Sequence, residues 1–268
     1  MTIRISKYLS IKLYQFYFVV FFISCSNKKE NPKIESIKKT DSTTLTINKN
    51  DAIRVYLTFD DGPYESTPAL TKYLTSRKIK ASFFVIGSQI SYTKHYDSIF
   101  LATKHNKLFK TYNHTFSHAV THGRIKKYYK NPVAVWNDIM MNKKYLPLNC
   151  NITRLPGTNA WRYKGYQKCF KESTTTLFKY LDSIKSTESI FGWDFEWTLK
   201  ESNDSINVNK FILKIVEQIS KNKSPKKDYV ILLHDYLFKH ENSLNNFDYF
   251  LSLLKKEINP EFKWAEEY

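Results

Sequence analysis

At 268 residues, with 42% hydrophobic and 16% aromatic content, the chain carries enough apolar material for one sizeable globular domain, which excludes a disordered polymer or a small stapled fold. Its formal net charge of +17 would draw it to anionic polymers, lipid headgroups or nucleic acid. Many of the lysines are scattered among Asn, Ile, Tyr and Phe, so charge alone selects no partner.

Residues 1–24 hold Arg4, Lys7 and Lys12 and no acid, followed by an apolar run over 13–23 broken only by Gln15. That run falls short of the roughly 20 residues a membrane span needs and fits a secretory signal. Its end, Phe22-Ile23-Ser24-Cys25, resembles a bacterial lipobox, with Phe22 where Leu is usual. The resemblance implies cleavage before Cys25 and lipidation of that cysteine. Residues 25–52 are polar, with six lysines against four acids, and read as a flexible tether. The domain at 53–268 therefore keeps +12 of the charge. From there apolar runs alternate with helical patterns. Strands are expected over 55–59, 81–85, 108–112, 152–155, 189–193 and 229–233. Helices are expected over 67–77, 94–103, 133–145, 175–184, 208–219 and 244–256, the first with Thr67 as N-cap and Pro68 behind it. Such alternation predicts an α/β fold with a parallel sheet. Cys150 and Cys169 are open to pairing in an oxidising compartment or to remaining two buried thiols.

Asp60 and Asp61 stand where the first strand meets Gly62-Pro63, and alternation along a strand lets neighbouring acids take different jobs. His114 and His118 follow at metal-ligand spacing, which on a helical turn would put both imidazoles on one side. Leu57-Thr58-Phe59-Asp60-Asp61-Gly62-Pro63 together with Asn113-His114-Thr115-Phe116-Ser117-His118 resembles the opening motifs of the polysaccharide deacetylases with a NodB homology domain, carbohydrate esterase family 4. The resemblance covers 53–264. It implies a single domain built as a distorted, incomplete (β/α) barrel of about seven strands. It also implies a divalent metal on Asp61, His114 and His118, with Asp60 as general base; zinc is the default ion, and cobalt or nickel suit the same donors. His122, four residues past His118, is read as a bystander.

The later motifs depart in part from the family. Arg154-Leu155-Pro156-Gly157 lacks the aromatic usual after the proline. The resemblance gives Arg154 the task of holding Asp60 ionised, and gives the backbone amide after Pro156, that of Gly157, a place at the oxyanion. Trp161 could restore a groove wall or pack in the core. Trp193-Asp194-Phe195-Glu196-Trp197 replaces an Asp-x-x-Asp-Trp pattern, and alternation puts Asp194 and Glu196 on one face. Either acid could brace Arg154 or tune His234, and Trp197 is assigned to the substrate groove. Leu232-Leu233-His234 matches Leu-x-His, which implies His234 as general acid and Leu232 lining a pocket for the acetyl methyl.

Together these features predict a monomeric, metal-dependent hydrolase, lipid-anchored to the membrane in a bacterial envelope outside the cytoplasm. It removes N-acetyl groups from an acetylated polysaccharide, whether peptidoglycan or another N-acetylglucosamine-containing glycan. An O-acetyl esterase of the xylan type uses the same chemistry and is the nearest rival. A non-catalytic glycan-binding lipoprotein finds support only in the altered motifs, and the export signal sets nucleic acid aside.

Overall fold

The computed structural model describes residues 53–119, 125–169, 171–221 and 227–268. The signal segment, Cys25, the tether and His122 lie outside the described residues.

Strand β1 (Arg54–Asp60) is buried along almost its whole length, as expected of a continuous apolar run in a parallel sheet covered on both faces. Helix α1 (Thr67–Ser76) leads to β2 (Ala81–Val85), and α2 (Gly87–Tyr92) and α3 (Lys94–His105) lead to β3 (Phe109–Asn113). Helices α4 (Ile125–Tyr128) and α5 (Pro132–Asn142) precede β4 (Ile152–Thr153). A hairpin of β5 (Ala160–Tyr163) and β6 (Tyr166–Cys169) is followed by α6 (Glu172–Ser183), β7 (Ser189–Ile190) and β8 (Phe195–Glu196). Helices α7 (Leu199–Asn203) and α8 (Ser205–Lys221), strand β9 (Asp228–His234), α9 (Glu241–Ile258) and β10 (Glu261–Phe262) complete the order.

Seven strands pair in parallel in the order β8-β9-β1-β2-β3-β4-β7. The antiparallel hairpin β5-β6 adds to the β7 edge, and β10 pairs beside the start of β1. Among the described residues β7 and β8 do not pair although they are consecutive in the chain, so the curled sheet stays open there. This is the incomplete barrel of about seven strands, with three further short strands attached.

The helices bury one stripe each. On α8 that stripe is Val208, Phe211, Ile212, Ile215 and Ile219, and on α9 it includes Phe247, Phe250, Leu251, Leu254 and Ile258. A second cluster, with Tyr128, Tyr129, Val135, Ile139, Leu177, Phe178 and Ile190, sits between α5 and α6. Among the described residues no helix is long and apolar enough to cross a membrane.

One expectation changes, one open choice closes and one element is new. Thr67 is the first helical residue, not the N-cap, which falls on Ser66. Its hydroxyl accepts the Tyr64 N–H at 2.8 Å and donates to the buried Asp235 carboxylate at 2.5 Å, a stronger partner than a free helix amide. Cys150 and Cys169 are separate free thiols. The β5-β6 hairpin was not expected; it turns on Lys164 and Gly165, both with positive φ, as a two-residue hairpin requires.

Candidate active site

The chain turns sharply where β1 ends. Asp61 has φ +76°, and this left-handed step sends the two neighbouring carboxylates to different partners. Asp60, 2% exposed, accepts a hydrogen bond from Arg154 Nη1 at 2.9 Å. Asp61 Oδ1 instead lies 3.1 Å from His114 Nε2 and 3.0 Å from His118 Nε2.

The histidines do not ride a helical turn, contrary to the spacing argument. Thr115, His118 and Ala119 all have positive φ, and the segment is an irregular loop after β3. Buried side chains brace it. Asn113 Oδ1 accepts the Thr115 N–H and the Asn142 side-chain amide, and Asp138 accepts the Ser117 N–H and hydroxyl. His114 Nδ1 is 2.9 Å from the Arg154 carbonyl, which can only accept, so Nδ1 carries the proton. In the neutral ring that leaves the Nε2 lone pair facing Asp61.

Burial disfavours charge on both partners, yet their mutual attraction wins. Despite desolvation, the two imidazoles hold the Asp61 carboxyl far below the usual carboxylate range. Despite complete burial, Asp60 and Asp61 hold His114 above its ordinary value. Asp61 Oδ1 is nevertheless buried without a hydrogen-bond partner. A lone acceptor between two imidazole nitrogens, with all three donor atoms within 4.8 Å of one another, fits a first-row divalent cation. Asp61 and His118 are partly exposed, which leaves the cluster open on the outer side.

Arg154, fully buried just beyond β4, reaches across the sheet. Nε donates to the Phe191 carbonyl at 3.0 Å, Nη1 to the Thr58 hydroxyl at 2.6 Å, and Nη2 to the Gly192 carbonyl at 2.9 Å. Its guanidinium lies 4.2 Å from the Phe84 ring centroid. Pro156 accepts the Tyr129 hydroxyl, and exposed Gly157 has φ +59°. A Cβ there would meet the movable tip of the Ile125 side chain at 2.5 Å, and the positive φ would strain any side chain at this turn.

His234 ends β9 and stands opposite Asp60 in register, with Nε2 3.9 Å from Asp61 Oδ2. Leu232 is buried on the same face of the strand. Glu196 is exposed, pairs with Leu232 in register, and lines a cavity of about 710 Å³ together with His234. Among the described residues no hydrogen bond joins Glu196 to His234. Asp194 is bound elsewhere: its backbone and carboxylate bracket Val230, whose N–H it accepts at 2.8 Å. Trp197, assigned to the substrate groove, lies in the core instead, and of the two readings left open for Trp161 the structure shows the core one. Trp197 is fully buried against Phe211, Phe247 and Phe250 and donates to Ser202 Oγ, and Trp161 packs on Phe191 and Tyr268. Their apolar area belongs to the barrel interior.

Other residues enter that the motifs did not single out. Asp235 is fully buried against Gly62, and desolvation, aided by Asp61 and Asp60, pushes its carboxyl up to about 7. Tyr236, 41% exposed, stacks near His234 and edge-on to Tyr64. An aromatic two residues past the motif histidine was the available signal for it.

Residues 47–163 match the family model described as polysaccharide deacetylase. No curated protein matches the chain. Among solved structures it is similar to the catalytic domain of a peptidoglycan N-acetylglucosamine deacetylase from Eubacterium rectale, at TM-score 0.55 and 19% identity over 80% of this chain and 89% of that one. It is also similar to the chitin deacetylase of Colletotrichum lindemuthianum, at TM-score 0.57 and 16% identity over 81% and 87%. A third is the Xyl-CE4 domain of a multidomain xylanase from the hindgut metagenome of Trinervitermes trinervoides, at TM-score 0.52 and 18% identity over 81% and 89%. At such identities the likeness is one of fold.

Proposed function

For this member of the polysaccharide deacetylase family, we propose hydrolysis of N-acetyl groups on an N-acetylglucosamine-containing envelope or extracellular glycan, by a protein lipid-anchored through Cys25. The observation that carries the reading is the unpartnered Asp61 Oδ1 between two imidazoles, one residue from a buried carboxylate held by arginine. A divalent cation on Asp61, His114 and His118, zinc by default, would supply Lewis acidity toward the carbonyl and a more acidic water.

The chain's own groups account for the proton movements. Asp60 accepts the proton of the attacking water, and Arg154 fixes its carboxylate in place. The Gly157 amide donates to the oxygen that gains charge. His234, across the ladder from Asp60, protonates the departing amine, with Glu196, which lines the same cavity, as its partner acid. Asp194 is committed to Val230.

Acetate release tests the reading, with zinc-loaded protein and a panel of N-acetylated and O-acetylated glycans. Release from N-acetylated substrates is expected, with Asp60→Asn lowering turnover by about 10²–10⁴-fold at unchanged metal content. Release only from acetylated xylan would make the protein an O-acetyl esterase, and Asp60→Asn emptying the metal site would reverse the roles of the two aspartates.

A further inference from the structure

The cavity beside His234 is lined on its other sides by three lysines. Lys200 of α7 and Lys210 and Lys214 of α8 line it, all exposed. Among the described residues none of the three has an ion-pair partner. Lys210 and Lys214 stand four residues apart on one helix face, where like charges repel. Two carboxylates share the cavity. Glu201 is committed to its helix cap, accepting the Thr198 N–H at 2.8 Å and its hydroxyl at 2.6 Å. Glu196 lies on β8 beside the strand that ends in His234. None of the three lysines forms an ion pair with either carboxylate, so positive groups outnumber negative ones in a concave site whose volume, about 710 Å³, falls within the ordinary range for ligand sites.

Tyr236 offers the other half of a sugar site. Its ring is part-exposed, lies 5.2 Å from that of His234, and is held edge-on by Tyr64 at 5.9 Å. An aromatic face at the acid and free ammonium groups across the same cavity match a sugar chain with negatively charged substituents.

We propose that the substrate is an acetylated glycan bearing acidic groups, carboxylate or phosphate, which Lys200, Lys210 and Lys214 engage while an acetyl group lies at His234. The proposal rests on the deacetylase reading and adds the charge class of the polymer. Salt screens such contacts, so affinity for an acidic glycan falls with ionic strength while affinity for a neutral one does not.

The test compares three probes on the zinc-loaded protein: a neutral N-acetylglucosamine oligosaccharide, one alternating with lactyl-ether carboxylates, and one carrying phosphodiesters. Binding to metal-free protein is measured alongside by calorimetry. The expected result is a lower KM for one or both acidic probes, raised roughly ten-fold in the Lys210→Glu/Lys214→Glu variant with kcat little changed. The remote control, Lys255→Glu/Lys256→Glu, should behave as the parent. Which acidic probe responds identifies carboxylate or phosphate. Equal KM for neutral and acidic probes, or an equal rise for all in the groove variant, overturns the proposal. So does lysine-dependent binding to anionic lipid vesicles with no preference among glycans, which would make this face a membrane contact. If no probe releases acetate while metal-free protein still binds the acidic ones through these lysines, the charge assignment stands and the deacetylase reading fails.

Discussion

Arg154→Lys should cost far more than its conserved charge suggests. The arginine makes four hydrogen bonds from three nitrogens, to Asp60, Thr58 and the Phe191 and Gly192 carbonyls, all in the fully buried interior. A lysine has three donors on one atom and no planar face for Phe84. Because the four acceptors are served from three separate nitrogens, one ammonium placed at the Asp60 and Thr58 pair leaves the Phe191 and Gly192 carbonyls without a donor, each at about 1–3 kcal/mol, for a total near 4 kcal/mol. In a domain of this size that lowers Tm by roughly 8–16 °C. Arg154→Met goes further, because breaking a buried pair strands the other charge at about 3–5 kcal/mol. Adding Asp60→Asn to Arg154→Met should therefore recover part of the loss. Urea denaturation followed by tryptophan fluorescence, with calorimetry for Tm, reads all four proteins. Arg154→Lys within 1 kcal/mol of the parent, or a double variant no more stable than Arg154→Met, would refute the reasoning.

Metal analysis of the purified protein should find about one divalent ion per chain, lost in Asp61→Ala, His114→Ala and His118→Ala but retained in His122→Ala. Gly62→Ala should destabilise by about 1–3 kcal/mol, since its Cβ would fall 2.3 Å from Asp235 Oδ2; thermal melts should show Asp235→Ala restoring part of that loss. Asp235 also gives metal-free protein a pH dependence. Its folded pKa, about 7, exceeds the ordinary 3.8, so between these values the folded state holds a proton that the unfolded state has released. Stability should fall as pH rises through that window, by up to roughly 1.4 kcal/mol per unit, and level off above it. Urea titrations of Asp235→Asn should lack this component and gain on the parent at pH 8.

Six of the seven parallel strands were legible because they lie in short, largely apolar runs bounded by turn residues, whereas β8, a two-residue strand, was not; helix stripes such as Val208 to Ile219 carry an unmistakable period. Asp60, Asp61, Arg154 and His234 were legible as candidates because they close such runs. The loop that carries His114 and His118 was not. Its left-handed residues are Thr115, His118 and Ala119, none of which announces positive φ as glycine would. The hidden braces Asn142 and Asp138 come from a helix more than twenty residues onward. Trp197 misled, and Trp161 stayed open, for a related reason: an aromatic beside a motif reads the same whether it faces sugar or core, and only the packing of α8, α9 and Tyr268 separates the two.

The adjacency of β1 and β9 also orders events in time. Asp61, His114 and His118 come from the ends of β1 and β3, neighbours through β2 and close in the chain. Asp60 and His234 meet only across the β1-β9 ladder, which closes a loop spanning nearly the whole domain. Such a closure spans far more chain than the β1-β2 and β2-β3 pairings, and so carries a higher entropy cost and contact order than they do. Refolding followed by both metal uptake and acetate release is expected to show cation capture before the return of turnover, because the donor cluster needs only the shorter-range β1-β2-β3 pairings. On the proposed deacetylase reading, hydrolysis would then report completed folding, and metal uptake only the first half of it.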